Sequence, residues 1–304
     1  MTNLTIFPPV LGPMSLYVAN CLSNDVTVFQ RVGNRGMQKA TIPLNFQAQG
    51  LAVDRKRNRV YVTNGDQVSI IDMKTKKVLK SIPVGNQAEF PALNPTGTRL
   101  YVPNFRSDTL SVIDTMSDSV IDTIPVGSQP LRAVTNPSGS RVYVINSATN
   151  TVSVVDTTQT KQIPDTIKIS PQPRGIAVDQ AGRYIYVTCR YTRTVDVIDT
   201  TQQNSVVDHI PVGDSPSGIA LTPDGKQLWV ANNTSNNIFV LDVATRKPLR
   251  KPIRVNSPLE LAISGRFVFV TEPRADRVAV IDRNTYSLIA APTVGDEPEG
   301  VWAA

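Results

Sequence analysis

Short apolar runs alternate with polar turn sequences along the whole chain. The runs are rich in β-branched and aromatic residues, as in Leu-Trp-Val-Ala-Asn (228–232) and Ile-Phe-Val-Leu-Asp (238–242). Gly, Pro, Asn and Asp cluster between them, as in Thr-Pro-Asp-Gly (222–225). Such runs, bounded by such turn residues, are typical of β-strands, and no long stretch has the period of a helix. The pattern therefore predicts an all-β protein.

An aromatic-centred phrase occurs seven times, with aromatic residues spaced by 40 to 44 positions. This is the length of a four-stranded propeller blade. The aromatic positions are Tyr17, Tyr61, Tyr101, Tyr143, Tyr186, Trp229 and Phe269. We therefore expect one domain, 1–304, folded as a seven-bladed β-propeller of four-stranded antiparallel blades. In the sixth period the strands are assigned as A (216–221), B (227–232), C (237–242) and D (about 247–255).

The two ends of the chain carry complementary parts of one period. Residues 296–303 match the beginning of a period, Asp214 to Leu221, whereas the first copy begins at strand B. We expect residues 299–303 to supply strand A of blade one, whose other strands come from about 15–44. Such a ring protects the edges that an open sheet would expose.

The repeated phrases resemble the YVTN family of β-propeller repeats, which is found in surface-layer and surface-antigen proteins and in propeller domains of periplasmic and redox enzymes. The residues that carry the resemblance are the copies at 60–64 and 101–104, Ser-Val-Ile-Asp (111–114) and Ile-Pro-Val-Gly (124–127). The resemblance implies the propeller fold. It implies no particular activity, because the shared residues are architectural. Cys189 and Glu272 depart from the repeat at its final Asn, and Gln30 departs at its Asp.

Composition limits the chemistry that the chain can perform. Two cysteines and one histidine among 304 residues exclude a disulfide scaffold, a multi-Cys metal module and a His-rich metal site. Cys21 and Cys189 fall in distant blades, so we expect free thiols. Arg190 follows Cys189 and could lower its pKa, which makes Cys189 a candidate nucleophile. His209 falls in the outermost strand, away from the channel.

The beginning of the chain does not read as a signal peptide. No Lys or Arg precedes Arg31, and the apolar stretch 4–14 is broken by three prolines. No apolar run is long enough to span a bilayer. We expect a cytoplasmic protein without membrane contact, or an extracytoplasmic one if a signal has been removed.

Two recurrent polar residues are interpreted as structural. The Asp that ends strand C precedes Thr- or Lys-containing turns, where its carboxylate can accept hydrogen bonds from nearby amides. These residues are Asp72, Asp114, Asp156, Asp199, Asp242 and Asp282. The Asn that ends strand B, as in Asn20 and Asn104, is interpreted in the same way.

The D-to-A and B-to-C loops are expected to form one mouth of the central channel, where variable loops on a rigid scaffold carry function. The candidate binding residues at this mouth are Glu89, Phe90, Phe105, Arg106, Arg132, Arg174, Arg190, Tyr191, Arg193 and Arg274. The candidate acid/base residues are Glu260, Glu272 and Glu299. The arginines from blades three to five oppose the glutamates of blades seven and one, so the mouth is predicted to be polarised.

This arrangement leaves several functions open. The arginines could bind a carboxylate or phosphate bidentately, which favours a small molecule or peptide with an anionic group. The glutamates could hold a divalent cation or act as a general acid, which favours a lyase, cyclase or lactone hydrolase. The same charges could also form salt bridges of little energetic value on a solvated rim. We expect a monomer, and nucleic acid is disfavoured because no binding motif accompanies the net charge of +6.

Overall fold

The computed structural model describes residues 15–31, 37–159 and 165–303. They form seven four-stranded antiparallel sheets, which confirms the predicted seven-bladed propeller. A short 3-10 helix, Pro273–Ala275, lies in blade seven. Among the described residues, none of the helices has the length and apolar character needed to cross a membrane. The stretch 4–14, which we expect not to be a signal peptide, lies outside these ranges.

The strands of each blade follow one another from the channel outwards in the order A, B, C and D. Blade one consists of β28 (Pro298–Ala303), β1 (Ser15–Asn20), β2 (Asp25–Arg31) and β3 (Met37–Pro43), and blade two of β4 (Ala48–Asp54), β5 (Arg59–Asn64), β6 (Gln67–Asp72) and β7 (Lys77–Pro83). Blade three consists of β8 (Ala92–Leu93), β9 (Arg99–Asn104), β10 (Thr109–Asp114) and β11 (Ser119–Pro125), and blade four of β12 (Pro130–Thr135), β13 (Arg141–Asn146), β14 (Thr151–Asp156) and β15 (Asp165–Lys168). Blade five consists of β16 (Pro173–Val178), β17 (Tyr184–Cys189), β18 (Thr194–Asp199) and β19 (Ser205–Pro211), and blade six of β20 (Pro216–Leu221), β21 (Gln227–Asn232), β22 (Asn237–Asp242) and β23 (Ile253–Arg254). Blade seven consists of β24 (Leu261–Ser264), β25 (Phe267–Glu272), β26 (Arg277–Asp282) and β27 (Ser287–Ala290).

The ring is closed by the last strand of the chain. β28 pairs antiparallel with β1, so that Val301 lies opposite Val18 and Trp302 lies opposite Tyr17. The rings of Trp302 and Tyr17 are 6.3 Å apart between their centroids. The strand predicted at 299–303 is thus present one residue longer, and it joins blade one as expected.

The hydrophobic core lies between neighbouring blades rather than inside any one of them. Val26 and Val28 of blade one pack against Val60 and Val62 of blade two, and each later interface repeats this layering. The repeated aromatic residues lie at these interfaces, and Tyr17, Tyr61 and Trp229 are fully buried. Burying such a side chain contributes about 1.5–3 kcal/mol, so the repeat that identifies the fold also stabilises it.

Blade six differs from the sequence prediction in its outermost strand. Strands A, B and C have the predicted bounds, but the predicted strand D at about 247–255 shrinks to Ile253–Arg254. Pro248 and Pro252 lack the N–H group that a strand ladder requires, which accounts for the short pairing. Before β23 the backbone pairs with strand C only around Pro248, where the Asp242 amide donates to the Lys247 carbonyl oxygen and the Leu249 amide to the Val240 carbonyl oxygen, both at 2.9 Å.

Candidate functional site

The side chains at the channel mouth lie where the inner strands depart from regular pairing. The register with strand B shifts between Pro130 and Arg132 in blade four, and between Pro173 and Ile176 in blade five. Such bulges re-aim side chains and are common beside functional sites. The hydroxyl of Thr188 in strand B holds one of them, since it accepts a hydrogen bond from the Gly175 amide (2.8 Å) and donates to the carbonyl oxygen of Ser217 in the next blade (2.7 Å).

The second residue of each bulge is glycine in four of the seven blades: Gly50, Gly175, Gly218 and Gly300. These positions face the backbone of the neighbouring blade at close range. A Cβ atom at Gly218 would lie 2.6 Å from the carbonyl oxygen of Leu259, which also accepts a hydrogen bond from the Gly218 amide. The equivalent residues of the other three blades are Phe90, Arg132 and Glu260. Only these three blades therefore have a side chain at this position.

These three side chains contact one another. Arg132 Nη2 lies 2.5 Å from Glu260 Oε1, and the Arg132 guanidinium lies over the Phe90 ring, 4.0 Å from its centroid. Glu260 and Phe90 are buried. A buried arginine is well suited to a planar ion pair that also stacks on an aromatic face. The contact joins blades three, four and seven across the channel.

The residue that precedes this position in each blade is charged in three blades: Glu89, Arg174 and Glu299. Arg174 Nη2 of blade five lies 3.9 Å from Glu299 Oε2 of blade one. Glu89 is buried and accepts a hydrogen bond from Gln87 Nε2 at 2.9 Å. Arg190, from the B-to-C loop of blade five, is close enough to Arg174, Glu260 and Glu299 for their charges to affect it. We define the inner cluster as Glu89, Phe90, Arg132, Arg174, Arg190, Glu260 and Glu299.

Burial makes two carboxyls of the inner cluster titrate near neutrality. Desolvation raises the pKa of Glu89 to about 7, against the lowering effects of the Gln87 hydrogen bond and of Arg174 and Arg132. Desolvation also raises the pKa of Glu299 to about 7, opposed by Arg174 and reinforced by Glu260, Glu297 and Glu89. Burial lowers the pKa of the Arg190 guanidinium. Perturbed carboxyls of this kind occur at functional sites and also in structural ion-pair networks.

The inner cluster also contains buried polar atoms without a protein hydrogen-bond partner. They are Arg132 Nε, Arg190 Nε, Glu260 Oε1 and Glu299 Oε2, of which Glu260 Oε1 is within ion-pair distance of Arg132. Leaving a buried donor or acceptor unpaired costs about 1–3 kcal/mol, and native structures contain few such groups. The two guanidinium Nε atoms are therefore an exception that the cluster's ion pairs do not account for.

The arginines and glutamates of the mouth come from opposite sides of the ring and approach each other across the channel. Arg132 of blade four meets Glu260 of blade seven, and Arg174 of blade five approaches Glu299 of blade one. The predicted solvated rim is wrong for these pairs, since the Glu260 side chain is only 5% exposed and that of Arg132 17%. Salt bridges among these charges were one of the expected alternatives, but the sequence did not show which residues would pair or that the pairs would be shielded from solvent.

The remaining candidates lie further out. Arg106, Tyr191, Arg193 and Arg274 are exposed, and Phe105 is half-buried. Arg193 pairs with Asp214 at 2.9 Å, and Arg274 belongs to the 3-10 helix. These residues form an outer rim above the inner cluster rather than part of it.

Glu272 has partners of its own, apart from the inner cluster. It accepts a hydrogen bond from the Asn256 amide at 2.8 Å and pairs with Arg277 at 2.5 Å. Asn104 makes the equivalent bond to the Gly85 amide in blade three. Glu272 therefore replaces the recurrent Asn with a longer side chain, and its pairing with Arg277 satisfies its charge.

Cys189 does not have the environment of a nucleophile, contrary to the sequence prediction. Both cysteines are free, as expected, but Cys189 is fully buried. Burial raises its pKa well above the ordinary range, and the carboxylate of Asp196 raises it further. Asp196 accepts a hydrogen bond from the Ser170 amide and lies 2.8 Å from His209 Nδ1, so these residues hold strands C and D of blade five together.

Several of the recurrent Asp and Asn residues make structural hydrogen bonds of the predicted kind, whereas both polar side-chain atoms of Asn64 lack a partner. The carboxylate of Asp72 accepts hydrogen bonds from the amides of Lys74 and Thr75, and Asp242 does the same for Thr245. Asn104 Nδ2 donates to Thr109 and Ser111 across the strand pair.

A divalent cation would find few free ligands at this mouth. Glu260 is paired with Arg132 and Glu299 lies beside Arg174, which leaves Glu89 without a second free carboxylate. Across the part of the chain that the structure describes, no group of three or more His, Cys, Asp or Glu side chains is placed to hold a metal ion. The donor set fits an anionic or polar organic ligand better.

A family model for the seven-bladed β-propeller lactonases matches residues 133–294, more than half of the chain. The chain belongs to this lactonase family. The matched region of this lactonase-family propeller contains Arg174, Arg190 and Glu260 of the inner cluster, whereas Glu89, Phe90, Arg132 and Glu299 lie outside it. A search of curated protein sequences finds no match.

Several solved structures share the fold at low sequence identity. Hydrazine synthase from Kuenenia stuttgartiensis is 23% identical, with a TM-score of 0.74, over 84% of this chain and 89% of that one. A putative 6-phosphogluconolactonase from Bacteroides fragilis is 14% identical, with a TM-score of 0.77, over 98% and 100%. A protein of unknown function from Desulfotomaculum acetoxidans is 12% identical, with a TM-score of 0.80, over 94% and 98%. At these identities the likeness shows the fold alone.

Two residues that position the site are not among the sequence candidates. Gln87 donates to Glu89, and Thr188 anchors the bulge that presents Arg174. Thr188 belongs to the repeated phrase, in which it reads as one more strand residue. Its counterparts Thr63 and Thr271 accept hydrogen bonds from Gly50 and Glu260 in the same way, so the recurrence of Thr two places after the aromatic residue is the signal that could have found it.

Proposed function

We propose that the inner cluster binds a small organic anion, a carboxylate or a phosphate ester. The observation that carries this proposal is the pair of buried guanidinium Nε atoms, on Arg132 and Arg190, that have no hydrogen-bond partner. A guanidinium offers several N–H donors in a fixed plane, which suits bidentate binding of carboxylate and phosphate. The same residues support the propeller as a binding module.

The charge of the cluster supports an anionic ligand. Its three arginines face three glutamates, two of which have a pKa of about 7. When Glu89 and Glu299 are protonated, two positive charges remain unbalanced in a buried site. In such a low-dielectric environment the attraction for an anion exceeds that of exposed arginines.

Substitution of single arginines tests this proposal. The probes are gluconate, 6-phosphogluconate and inorganic phosphate, measured by isothermal titration calorimetry. Arg190→Gln should weaken binding at least 10-fold, because charge-assisted bonds contribute about 1.5–3 kcal/mol each. Arg274→Gln removes the same charge from the exposed rim and should leave the affinity within about twofold. Equal losses in both variants, or no binding of any probe, would contradict the proposal.

A second candidate function is hydrolysis of a lactone at the same site, favoured by the two carboxyls of near-neutral pKa and by the family. Near pH 7 one of the two can be ionised while the other is protonated, which is the requirement for paired general base and general acid. We assign Glu299 as the base that takes a proton from water, whose oxygen then adds to the ring carbonyl carbon. Glu89 gives its proton to the ring oxygen as the C–O bond breaks, and Arg190 stabilises the oxyanion.

Lactone hydrolysis is tested with 6-phosphogluconolactone and glucono-δ-lactone, because the name of one structural relative includes 6-phosphogluconolactonase. Proton release is measured and corrected for spontaneous hydrolysis. Glu299→Gln and Glu89→Gln should each lower the rate at least 100-fold, as general acid–base groups contribute about that much. Glu272→Gln, outside the cluster, should retain activity. A wild-type rate equal to the spontaneous rate excludes this activity and leaves the binding proposal standing.

The type of repeat is a separate proposal. We assign the repeats to the YVTN type on the strength of Val-Tyr-Val-Thr-Asn (60–64) and the phrases that follow strand B. The assignment concerns the repeat alone and implies no surface-layer role.

A further inference from the structure

The outer edge of blade six carries an unusual concentration of positive charge. Lys247, Arg250, Lys251 and Arg254 fall within eight residues, and all four side chains are exposed. Among the described residues, no carboxylate lies within ion-pair distance of any of them. The neighbouring Arg246 is different, since it pairs with Asp208 at 3.0 Å. Four exposed and unpaired cations on one segment create a strongly positive local field.

This segment is also where the architectural repeat is interrupted. Four other blades have a seven-residue outer strand, such as β7 (Lys77–Pro83), whereas blade six has only Ile253–Arg254. Residues 247–249 still pair with strand C through one bridge, Leu241 to Pro248, but no pairing joins this bridge to β23.

An open groove of about 640 Å³ continues from the segment. Pro252 and Arg254 line one part of it, and Ser235, Asn256 and Leu288 line another. Asn236, Asn237, Val255 and the ion pair of Glu272 with Arg277 complete the lining, so the one carboxylate of the groove is neutralised by its partner. The Ser235 oxygen accepts a hydrogen bond from the Asp214 amide, which leaves its O–H free to donate. Hydroxyl and amide groups next to an apolar side chain suit a ligand rich in hydroxyl groups.

The spacing of the charges favours a linear polymer over a small anion. Eight extended residues span at most about 26 Å, so a single carboxylate or phosphate can contact only one or two of the four cations. The aromatic residue beside the segment is Tyr286, and its ring is already covered. Trp229 stacks on it, and the Arg250 guanidinium also lies over it. Stacking on exposed aromatic residues is the usual way to hold single-stranded nucleic acid, and no aromatic residue lines the groove.

We infer that the basic segment 247–254 and its groove bind a linear acidic polysaccharide. The sulfate or carboxylate groups contact Lys247, Arg250, Lys251 and Arg254 in succession. One sugar ring lies in the groove, against Leu288 and within hydrogen-bond reach of Ser235 and Asn256. This site lies on the outer edge of the ring and is separate from the inner cluster.

The test uses fluorescently labelled heparin and polygalacturonate oligosaccharides, with binding followed by fluorescence anisotropy at physiological ionic strength. Removing the four charges (Lys247→Gln, Arg250→Gln, Lys251→Gln, Arg254→Gln) should weaken binding at least 30-fold. Blade two supplies a matched control, since Lys74→Gln, Lys76→Gln, Lys77→Gln and Lys80→Gln remove the same charge from another outer edge. Affinity should fall less than threefold in the control. If the quadruple variant folds poorly, the double variant Lys247→Gln/Lys251→Gln replaces it, and its affinity should fall about 5-fold.

The choice of probe and two sets of variants decide the outcome. Binding of heparin alone identifies the sulfated class, and binding of polygalacturonate identifies the uronate class, and either supports the inference. Ser235→Ala/Asn256→Ala should weaken polysaccharide binding at least threefold and leave binding of inorganic polyphosphate unchanged. Equal losses in the blade-six and blade-two variants, tighter binding of single-stranded DNA through the segment, or no binding of either polysaccharide would overturn it.

Discussion

Arg132 and Glu260 occupy the same position in blades four and seven, and their side chains meet across the channel at 2.5 Å. Neighbouring inner strands keep that position as glycine because their backbones approach too closely for a side chain. Two charged residues there can be accommodated only as a pair. The contact therefore links the architecture of the ring to the charge of the inner cluster.

Breaking this pair should be more costly than replacing it. At pH 8, Arg132→Met or Glu260→Leu alone leaves a buried charge without its partner, which costs about 3–5 kcal/mol of unfolding free energy. The double variant Arg132→Met/Glu260→Leu should be less destabilised than the sum of the two by at least about 2 kcal/mol. Denaturant unfolding of all four proteins measures the coupling. Strictly additive losses would show that the pair contributes nothing as a pair.

Glu89 and Glu299 should make the protein less stable as pH rises. Their pKa is raised from its ordinary value of 4.5 to about 7 in the folded chain. Between these values the folded state binds more protons than the unfolded state, so stability falls with increasing pH, by up to about 3 kcal/mol per group. Glu89→Gln/Glu299→Gln should match the wild type near pH 4.5 and exceed it above pH 7. Thermal unfolding across this range measures the difference, and a gap that does not change with pH would refute it.

Removal of the closing strand should destabilise the whole ring. Deleting residues 296–304 removes β28, which exposes the inner edge of β1 and the partners of Val301 and Trp302. We expect the melting temperature to fall by at least about 10 °C, since each kcal/mol shifts it by roughly 2–4 °C. Deleting Ala304 alone serves as the control. An unchanged melting temperature in the longer deletion would mean that the ring does not depend on this strand.

Neither thiol should react in the folded protein. Cys189 is fully buried with a raised pKa, and burial beside Glu299 raises the pKa of Cys21 to about 11. The thiolate is the reactive species, so a thiol reagent at pH 8 should label both cysteines only after unfolding. Rapid labelling of Cys189 in the native protein would restore it as a candidate nucleophile. Mass spectrometry of peptides assigns the label to one cysteine or the other.

The sequence predicts the fold because the repeat is architectural, and the phrase around Tyr61 or Trp229 marks the position of strand B directly. It also nominates Arg132, Glu260 and Glu299, because equivalent positions can be compared once the blades are aligned. It does not predict that Arg132 reaches Glu260, since that depends on the diameter of the closed ring. The role of Glu272 is hidden in the sequence because its partner Asn256 precedes it by a whole strand pair. The outer strand of blade six is shorter than its place in the repeat suggests, because its backbone pairs with strand C only around Pro248 and at Ile253–Arg254.

The most direct test of the inner cluster is the pH dependence of gluconate binding. Gluconate stays ionised between pH 6 and 8, so any change reports the protein, where Glu89 and Glu299 have a pKa of about 7. If the anion requires both carboxyls protonated, affinity should fall about 10-fold per group between these pH values. Calorimetry should find this fall in the wild type and not in Glu89→Gln/Glu299→Gln. Equal affinity at both pH values in the wild type, or no binding at either, would contradict an anion site controlled by these two carboxyls.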